Sequence, residues 1–133
     1  MIKFQVTTKS GTEMIDVTVQ VRDAVEKSKL KDGVCLVFVP HTTAGVTINE
    51  NADPAVRRDM LVELNKLVPE RDYFTHAEGN SAGHIKSSLI GNTKQIIVEN
   101  GRLALGTWQE VYLIEHRVAP HRRRLELDFI GTA

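Results

Sequence analysis

The sequence predicts an α+β fold, a single compact domain whose largely antiparallel β-sheet curls into two layers with two or three helices. Three observations support this prediction. The chain has 133 residues, which is the length of one domain. Extended apolar runs outnumber segments with the three-and-four spacing of helices. The predicted strands also follow one another directly over much of the chain, which favours antiparallel pairing.

The first part of the chain contains a predicted hairpin, a helix and a central strand. Two extended runs, Ile2 to Val6 and Glu13 to Val17, flank a turn at residues 9–12. Helical spacing begins at Thr18, for which we expect an N-cap role. The apolar, β-branched run from Gly33 to Val39 is too short for a typical helix and predicts a buried central strand.

The remainder contains two predicted helices and four strands. Small and polar residues dominate the segment after His41, and the Asp53-Pro54 pair then predicts the start of a helix that ends near Leu67. A loop from Val68 to Gly83 is long enough to be functional. The last predicted elements are a helix at His84–Ile90 and strands at Gln95–Val98, Arg102–Leu105, Gln109–His116 and Arg122–Ile130, with an Asn-Gly turn between the first two strands.

Composition and charge exclude several classes of function. The chain has 17 Lys plus Arg and 17 Asp plus Glu, so it lacks the basic surplus of a sequence-independent nucleic-acid binder. It has no apolar stretch long enough to span a membrane and no signal-peptide pattern at its start, which favours a cytoplasmic protein without a membrane partner. The single Cys35 lies in an apolar run and is interpreted as a buried thiol.

Three histidines are candidate metal ligands. His41 follows the predicted central strand, and His76 and His84 bracket a segment with two glycines that allow sharp turns. Three neutral imidazoles with an open position suit a zinc ion or a similar divalent ion. Alternatively, these are separate loop histidines that serve as hydrogen-bond partners.

Acidic residues near the second helix offer a second kind of chemistry. Glu50 and Asp53 follow His41 on the same polar segment, where they could hold a hard cation or exchange protons. The alternative for Asp53 is a structural one, because aspartate commonly caps a helix start.

Two stretches have the composition of an anion site. Lys86, Ser87 and Ser88 lie on a predicted short helix and suit a phosphate, although a capped surface helix explains them nearly as well. Arg122 and Arg123 belong to a basic cluster and suit bidentate binding of phosphate or carboxylate. The alternative is an edge strand guarded by charge.

The only tryptophan lies between two predicted strands. We expect Trp108 to be a core residue, while the neighbouring Thr107 and Gln109 could line a pocket.

Taken together, several separated motifs resemble the YjbQ family, also known as UPF0047. The resemblance spans about Gly33 to Ile130. It is carried by His41-Thr42-Thr43-Ala44, Asn49-Glu50, Asp53-Pro54, His76-x-Glu78-Gly79-Asn80-Ser81-x-x-His84, Glu99-Asn100-Gly101 and Gly106-Thr107-Trp108-Gln109. The chain departs from the family before its last strand, where relatives often have an Asp-Gly-Pro-Arg-like turn and this sequence has a different basic segment.

The resemblance implies a compact α+β domain over residues 1–133, assembled as a homotrimer with clefts near subunit boundaries. It also implies a secondary thiamine phosphate synthase activity, which joins a pyrimidine methyl diphosphate to a thiazole phosphate and releases diphosphate. The substrate is then a phosphorylated small molecule. By position, the ligands of a divalent metal, zinc or magnesium, are His41, His76 and His84.

In this reaction negative charge builds on the leaving diphosphate, so cations and N–H donors lower the barrier. The candidate donors are Lys86, Ser87, Ser88, Arg122 and Arg123. Asn49, Asn80 and Gln109 are expected to orient the two heterocycles, and Glu50 or Asp53 to assist a proton transfer. Two alternatives stay open: a non-catalytic trimer that binds a metal or a phosphometabolite, and a metal-dependent hydrolase with Glu50 as base.

Overall fold

The computed structural model describes residues 1–9, 11–118 and 120–133. Ser10, in the predicted first turn, and Ala119, in the basic segment before the last strand, lie outside the described residues. In chain order the elements are β1 (Ile2–Thr7), β2 (Glu13–Asp16), α1 (Thr18–Ser28), β3 (Asp32–Phe38), β4 (Ala44–Glu50), α2 (Pro54–Leu67), α3 (Ser81–Ile90), β5 (Thr93–Glu99), β6 (Arg102–Leu103), β7 (Gln109–Glu115) and β8 (Arg122–Thr132).

The strands form two antiparallel sheets, which confirms the predicted α+β fold with two β-layers. The larger sheet has the order β1-β8-β3-β5-β6, and the smaller sheet has the order β2-β7-β4. Strand β3 is central, as predicted, because it pairs with both β5 and β8. The Asn-Gly turn between β5 and β6 is also confirmed, since Asn100 and Gly101 both have positive φ, as a tight two-residue hairpin turn requires.

The main core lies between the two sheets. Alternate residues of β3 and β8 face inward from the larger sheet, α1 closes the core with Val21 and Val25, and the smaller sheet contributes Val111 and Leu113. Cys35 is buried in this core, and burial raises the pKa of its thiol to about 12. The predicted buried thiol is therefore confirmed.

Helices α2 and α3 cover the opposite face of the smaller sheet. Met14, Tyr112 and Ile114 point away from the main core on this face, and they pack against Met60 and Leu61 of α2. Ile90, at the end of α3, packs on the same cluster. This second layer holds α3 against β4, which fixes the helix that carries His84.

A glycine permits the close approach of α3 to β4. A Cβ atom at Gly45 would lie 2.4 Å from the carbonyl oxygen of Gly91, the residue that ends α3. The same carbonyl oxygen accepts a hydrogen bond of 3.2 Å from the backbone N–H of Val46. Only a residue without a side chain allows this contact, so Gly45 sets the distance between the helix end and the sheet.

The predicted start of α2 is confirmed, and the predicted starts of α1 and α3 need small corrections. Helix α2 begins at Pro54 as predicted, and Asp53 caps it by accepting a hydrogen bond of 2.9 Å from the N–H of Ala55. Thr18, however, is the first helical residue of α1 and not its N-cap. Its hydroxyl and N–H both donate to the Asp16 carboxylate. Helix α3 begins at Ser81, three residues before the predicted start.

Two expectations about the sheets were wrong. The segment after Thr43 forms β4, which pairs with β7, although it was interpreted as polar and irregular. Trp108 is 62% exposed and is not a core residue, because it lies in the turn that precedes β7.

None of the helices in the described part of the chain has the length and apolar character that a membrane span requires.

A buried imidazole lies where the smaller sheet meets α3. His116 follows β7 and is 4% exposed, and its backbone N–H donates a hydrogen bond of 3.0 Å to the carbonyl oxygen of Thr43. Burial is the main cause that lowers the pKa of His116 to about 4, and the nearby Lys86 ammonium lowers it further. The folded protein therefore keeps this imidazole neutral at pH values where an exposed histidine is partly charged.

This buried histidine predicts a loss of stability on mild acidification. Because the folded pKa is depressed, the unfolded chain binds the proton first, so stability is present above about pH 6.5 and decreases as the pH falls towards 4. The His116→Gln variant, which cannot take up this proton, should lose about 2 kcal/mol less than the unsubstituted protein between pH 7 and pH 5. Urea unfolding at the two pH values measures the difference. His76→Gln, at an exposed position, is the control, and equal losses in all three proteins would contradict the prediction.

Candidate functional site

The three predicted histidines line a single cavity of about 440 Å³, here called the histidine cleft. His41 comes from the connection between β3 and β4, His76 from the loop before α3, and His84 from α3 itself. Two connecting segments and a helix therefore meet at one end of the two sheets. The other residues that line the cleft are Pro40, Thr42, Thr43, Glu78, Asn80, Arg117 and Arg123.

A buried ion pair forms one wall of the cleft. Glu115, at the end of β7, has no exposed surface and accepts hydrogen bonds from Nε and Nη2 of Arg123. It also accepts hydrogen bonds from the Thr8 hydroxyl at 2.8 Å and from the Arg117 N–H at 3.2 Å. Nη2 of Arg123 donates in turn to Oγ1 of Thr43 at 2.9 Å and to its carbonyl oxygen at 3.2 Å.

The same ion pair is charged at neutral pH. Burial alone raises the pKa of Glu115, but the hydrogen bonds from Arg123 and Thr8 outweigh this effect and hold the pKa below its ordinary value. Removal of one partner of such a pair leaves an uncompensated buried charge, which costs about 3–5 kcal/mol. The pair therefore stabilises the packing of β7, β8 and the Thr43 segment against one another.

His41 is neutral and already has a hydrogen-bond partner. Burial, followed by the guanidinium groups of Arg123 and Arg124, lowers the pKa of His41. Its Nε2 accepts a hydrogen bond of 2.9 Å from the backbone N–H of Arg124. An accepting Nε2 requires the ring proton on Nδ1, so Nε2 is not available to a metal ion in this arrangement.

The structure brings only two of the predicted ligands into contact. The ring centroids of His76 and His84 are 5.2 Å apart, with the ring planes at 81°. Among the described residues no three His, Cys, Asp or Glu side chains are arranged to hold a metal ion. Imidazole nitrogens are suitable donors for a divalent ion of the zinc type, and His76 and His84 are the pair that fits one here.

The predicted phosphate site on α3 is divided between two sides of the helix. Ser87 and Ser88 line a shallow cavity of about 300 Å³ that continues from the histidine cleft, together with His41 and His84. The hydroxyl of Ser87 donates to the carbonyl oxygen of Ala44 at 2.8 Å. Lys86 lies on the other side of the helix and lines a separate cavity, so these three residues do not form one site.

Of the two predicted arginines, only one reaches the cleft. Strand β8 alternates, so Arg123 is buried while Arg122 is exposed and does not line the cleft. The basic run itself pairs only with β1, because β3 pairs with the later residues 126–132 of β8, so the edge-strand alternative for the exposed Arg122 stays open. Arg117, which follows β7, does line the cleft and is paired at 3.8 Å with the exposed Glu78.

Four predicted catalytic residues do not lie at the cleft. Asn49 and Glu50 end β4, and Glu50 pairs with Gln109 at the start of β7. Because β4 begins beside the cleft at Ala44 and rises about 3.4 Å per residue, its far end is roughly 20 Å away. Asp53 caps α2 beyond that end. Of the five predicted catalytic residues only Asn80 lines the histidine cleft.

Comparison with known proteins identifies relatives over nearly the whole chain. The profile of the YjbQ family, described as UPF0047 protein YjbQ-like, matches residues 2–132. A UPF0047 protein of Methanocaldococcus jannaschii is 46% identical over 98% of this chain and 94% of its own length. The UPF0047 protein YugU of Bacillus subtilis is 48% identical, with 96% of each chain covered.

Solved structures agree with this result. A crystal structure of an uncharacterized YjbQ/UPF0047 protein from Clostridium acetobutylicum has a TM-score of 0.93 and 48% identity, covering 98% of this chain and 100% of that chain. A protein of unknown function from Sulfolobus solfataricus has a TM-score of 0.88 at 28% identity, covering 98% and 96%. The resemblance in the sequence motifs is thus confirmed by both profile and fold, and the chain belongs to the YjbQ family, UPF0047.

Proposed function

We propose that the chain is a transferase of the thiamine phosphate synthase type that acts at the histidine cleft. The observation that carries this proposal is the convergence of three imidazoles and two guanidinium groups on one cavity of about 440 Å³. A cavity of this size falls in the range of small-molecule sites. Its polar lining suits a phosphorylated substrate better than an apolar one.

The reaction breaks the bond between the methylene carbon of a pyrimidine methyl diphosphate and its leaving oxygen. The lone pair of the ring nitrogen of the thiazole phosphate forms the new bond to the methylene carbon, and diphosphate departs with the electron pair of the broken bond. Arg117 supplies N–H donors to the leaving group, since its only described ion pair is the long contact with Glu78. The neutral His41, with its proton on Nδ1, supplies a further donor. Donors fixed before the reaction stabilise the developing charge without reorganisation.

Of the two expected divalent ions, zinc fits the same proposal better than magnesium, because imidazole nitrogens suit zinc and magnesium prefers oxygen ligands. His76 and His84 would hold it, and it would supply positive charge to the diphosphate. Arg123 has a different role, because Glu115 neutralises it. It orients Thr43, whose side chain lies against Gly83 of α3. Asn80 lies where its amide can orient a heterocycle.

The hydrolase alternative has less support from the geometry. Its candidate base, Glu50, lies at the far end of β4, and Glu78 is the carboxylate that lines the cleft among the described residues. A non-catalytic binder would use the same residues as the transferase, so turnover distinguishes them.

The activity prediction concerns the histidine pair. Substitution of His76 or His84 by Ala should lower kcat/KM for coupling of the two thiamine precursors by at least about tenfold and lower the metal content, because each removes one ligand of the ion. Product formation, with and without a chelator, and elemental analysis measure these effects. Gln20→Ala, on the exposed side of α1, is the control.

The other outcomes of this experiment would indicate a different site or a different function. Full activity and full metal content in both histidine variants would contradict the site assignment. Thermal shifts with the precursors but no product would indicate a binding protein. Release of inorganic phosphate from generic esters would indicate a hydrolase.

We also propose that the chain assembles as a homotrimer through the outer face of the larger sheet. Val34 on β3 pairs with Ile97 of β5 and Ile130 of β8, so these three apolar residues form one row. Ile97 is 59% exposed and Ile130 is 69% exposed. An apolar row in the middle of a sheet face is typical of a surface that another subunit covers.

The assembly prediction introduces a charged side chain into this apolar row by substitution. Ile97→Asp should shift the mass in solution from three chains to one, because a buried carboxylate without a partner opposes association. Light scattering coupled to size-exclusion chromatography measures the mass, and Gln20→Asp, on the exposed side of α1 and away from this face, is the control. A single-chain mass for the unsubstituted protein would contradict the proposal.

A further inference from the structure

A lysine is buried beside a second cavity, on the opposite side of α3 from Ser88. Lys86 is 5% exposed and lines a cavity of about 320 Å³, here called the Lys86 cavity. The end of α2, the loop before α3, the first turns of α3 and the residues after β7 form its walls. It is separate from the histidine cleft, although Glu78, Asn80 and Arg117 line both.

The ammonium group of Lys86 has no ionic partner in the described part of the chain. Its Nζ donates to the neutral Oδ1 of Asn65, and no described carboxylate lies within 4.0 Å of it. Burial lowers the pKa of Lys86, and the carboxylate of Glu70 opposes this shift, but its Oε1 already accepts a hydrogen bond of 2.6 Å from the Ala82 N–H. An ammonium group has three donors, and buried charges in proteins are normally paired.

The cavity walls carry two carboxylates, Glu70 and Glu78, beside two cationic groups, and both carboxylates already have partners in the described part of the chain. Arg117 places a guanidinium group, the second cationic group, at the cavity, and its pair with the exposed Glu78 is long and therefore weak. His116 is neutral and adds no competing charge. Val68, Pro69 and Val118 supply apolar surface beside these polar groups. A volume of about 320 Å³ is at the lower end of small-molecule sites.

We propose that the Lys86 cavity is a second anion site that takes a small oxyanion, the phosphate or carboxylate group of a metabolite, with Lys86 as the pairing cation and Arg117 as a second donor. The anion accepts the two N–H donors of Lys86 that Asn65 leaves over, and so completes the charge pairing of the buried ammonium. This site goes beyond the proposed activity, because it requires neither a metal ion nor turnover at the histidine cleft.

The test follows the ammonium resonance of Lys86 by ¹⁵N NMR while inorganic phosphate, or acetate in a separate arm, is added to the protein. Lys86 is the one buried lysine in the described part of the chain, so we expect its ammonium protons to exchange slowly enough to be observed. We expect a saturable shift of this resonance, and we expect the affinity to fall at least tenfold in Lys86→Met. Saturation by one anion and not the other identifies the phosphate or the carboxylate as the preferred group.

Two controls separate this site from its surroundings. Lys94→Met removes a lysine whose Nζ contacts the Ile90 carbonyl oxygen elsewhere on the surface, and it should bind the anion as the unsubstituted protein does. His84→Ala should also retain binding, even if it abolishes coupling activity, so that failure of the proposed function and failure of this site are distinguishable. The absence of a saturable shift with either anion, or unchanged affinity in Lys86→Met, would overturn the proposal. If that variant does not fold, the titration of the unsubstituted protein decides the question.

Discussion

The buried ion pair of Glu115 and Arg123 is the interaction on which the candidate site depends. The carboxylate has no exposed surface and receives donors from β8, from Thr8 after β1 and from the backbone of Arg117. Arg123 extends the network to Thr43. A buried charge without its partner is strongly destabilising. The ion pair therefore holds the segments that bear these groups in fixed relative positions. Electrostatic interactions, as well as packing, therefore determine the position of this wall of the histidine cleft.

Most of the fold could be predicted from local patterns. The apolar run of β3, the Asp53-Pro54 start of α2 and the Asn-Gly turn each have a physical cause within a few residues. Strand β4 was missed because its inward-facing residues include the small Ala44 and only a few larger side chains. Its pairing with β7 provides the stability that its own composition does not. Gly45 is part of the explanation, since α3 requires a glycine there.

The site was harder to predict, because distance along the chain does not determine distance in space. The shared cavity of His41, His76 and His84 was predicted, but the hydrogen bond that occupies Nε2 of His41 comes from a residue 83 positions away. Glu50 follows the histidine motif in sequence, yet an extended strand carries it to the other end of the sheet. Glu115 was missed, although an acidic residue directly after four apolar residues of β7 is a signal for a buried ion pair.

Hydrogen exchange measures most directly whether this ion pair holds the cleft together. The relevant amides are those of residues 41–44 and the amide of His116, whose acceptor is the Thr43 carbonyl oxygen. In Arg123→Met these amides should exchange at least about tenfold faster than in Arg124→Met, which removes only a surface pair with Glu126. Exchange in β3 should change no more than the loss of global stability requires. Equal exchange of the Thr43 segment in the two variants would contradict the account.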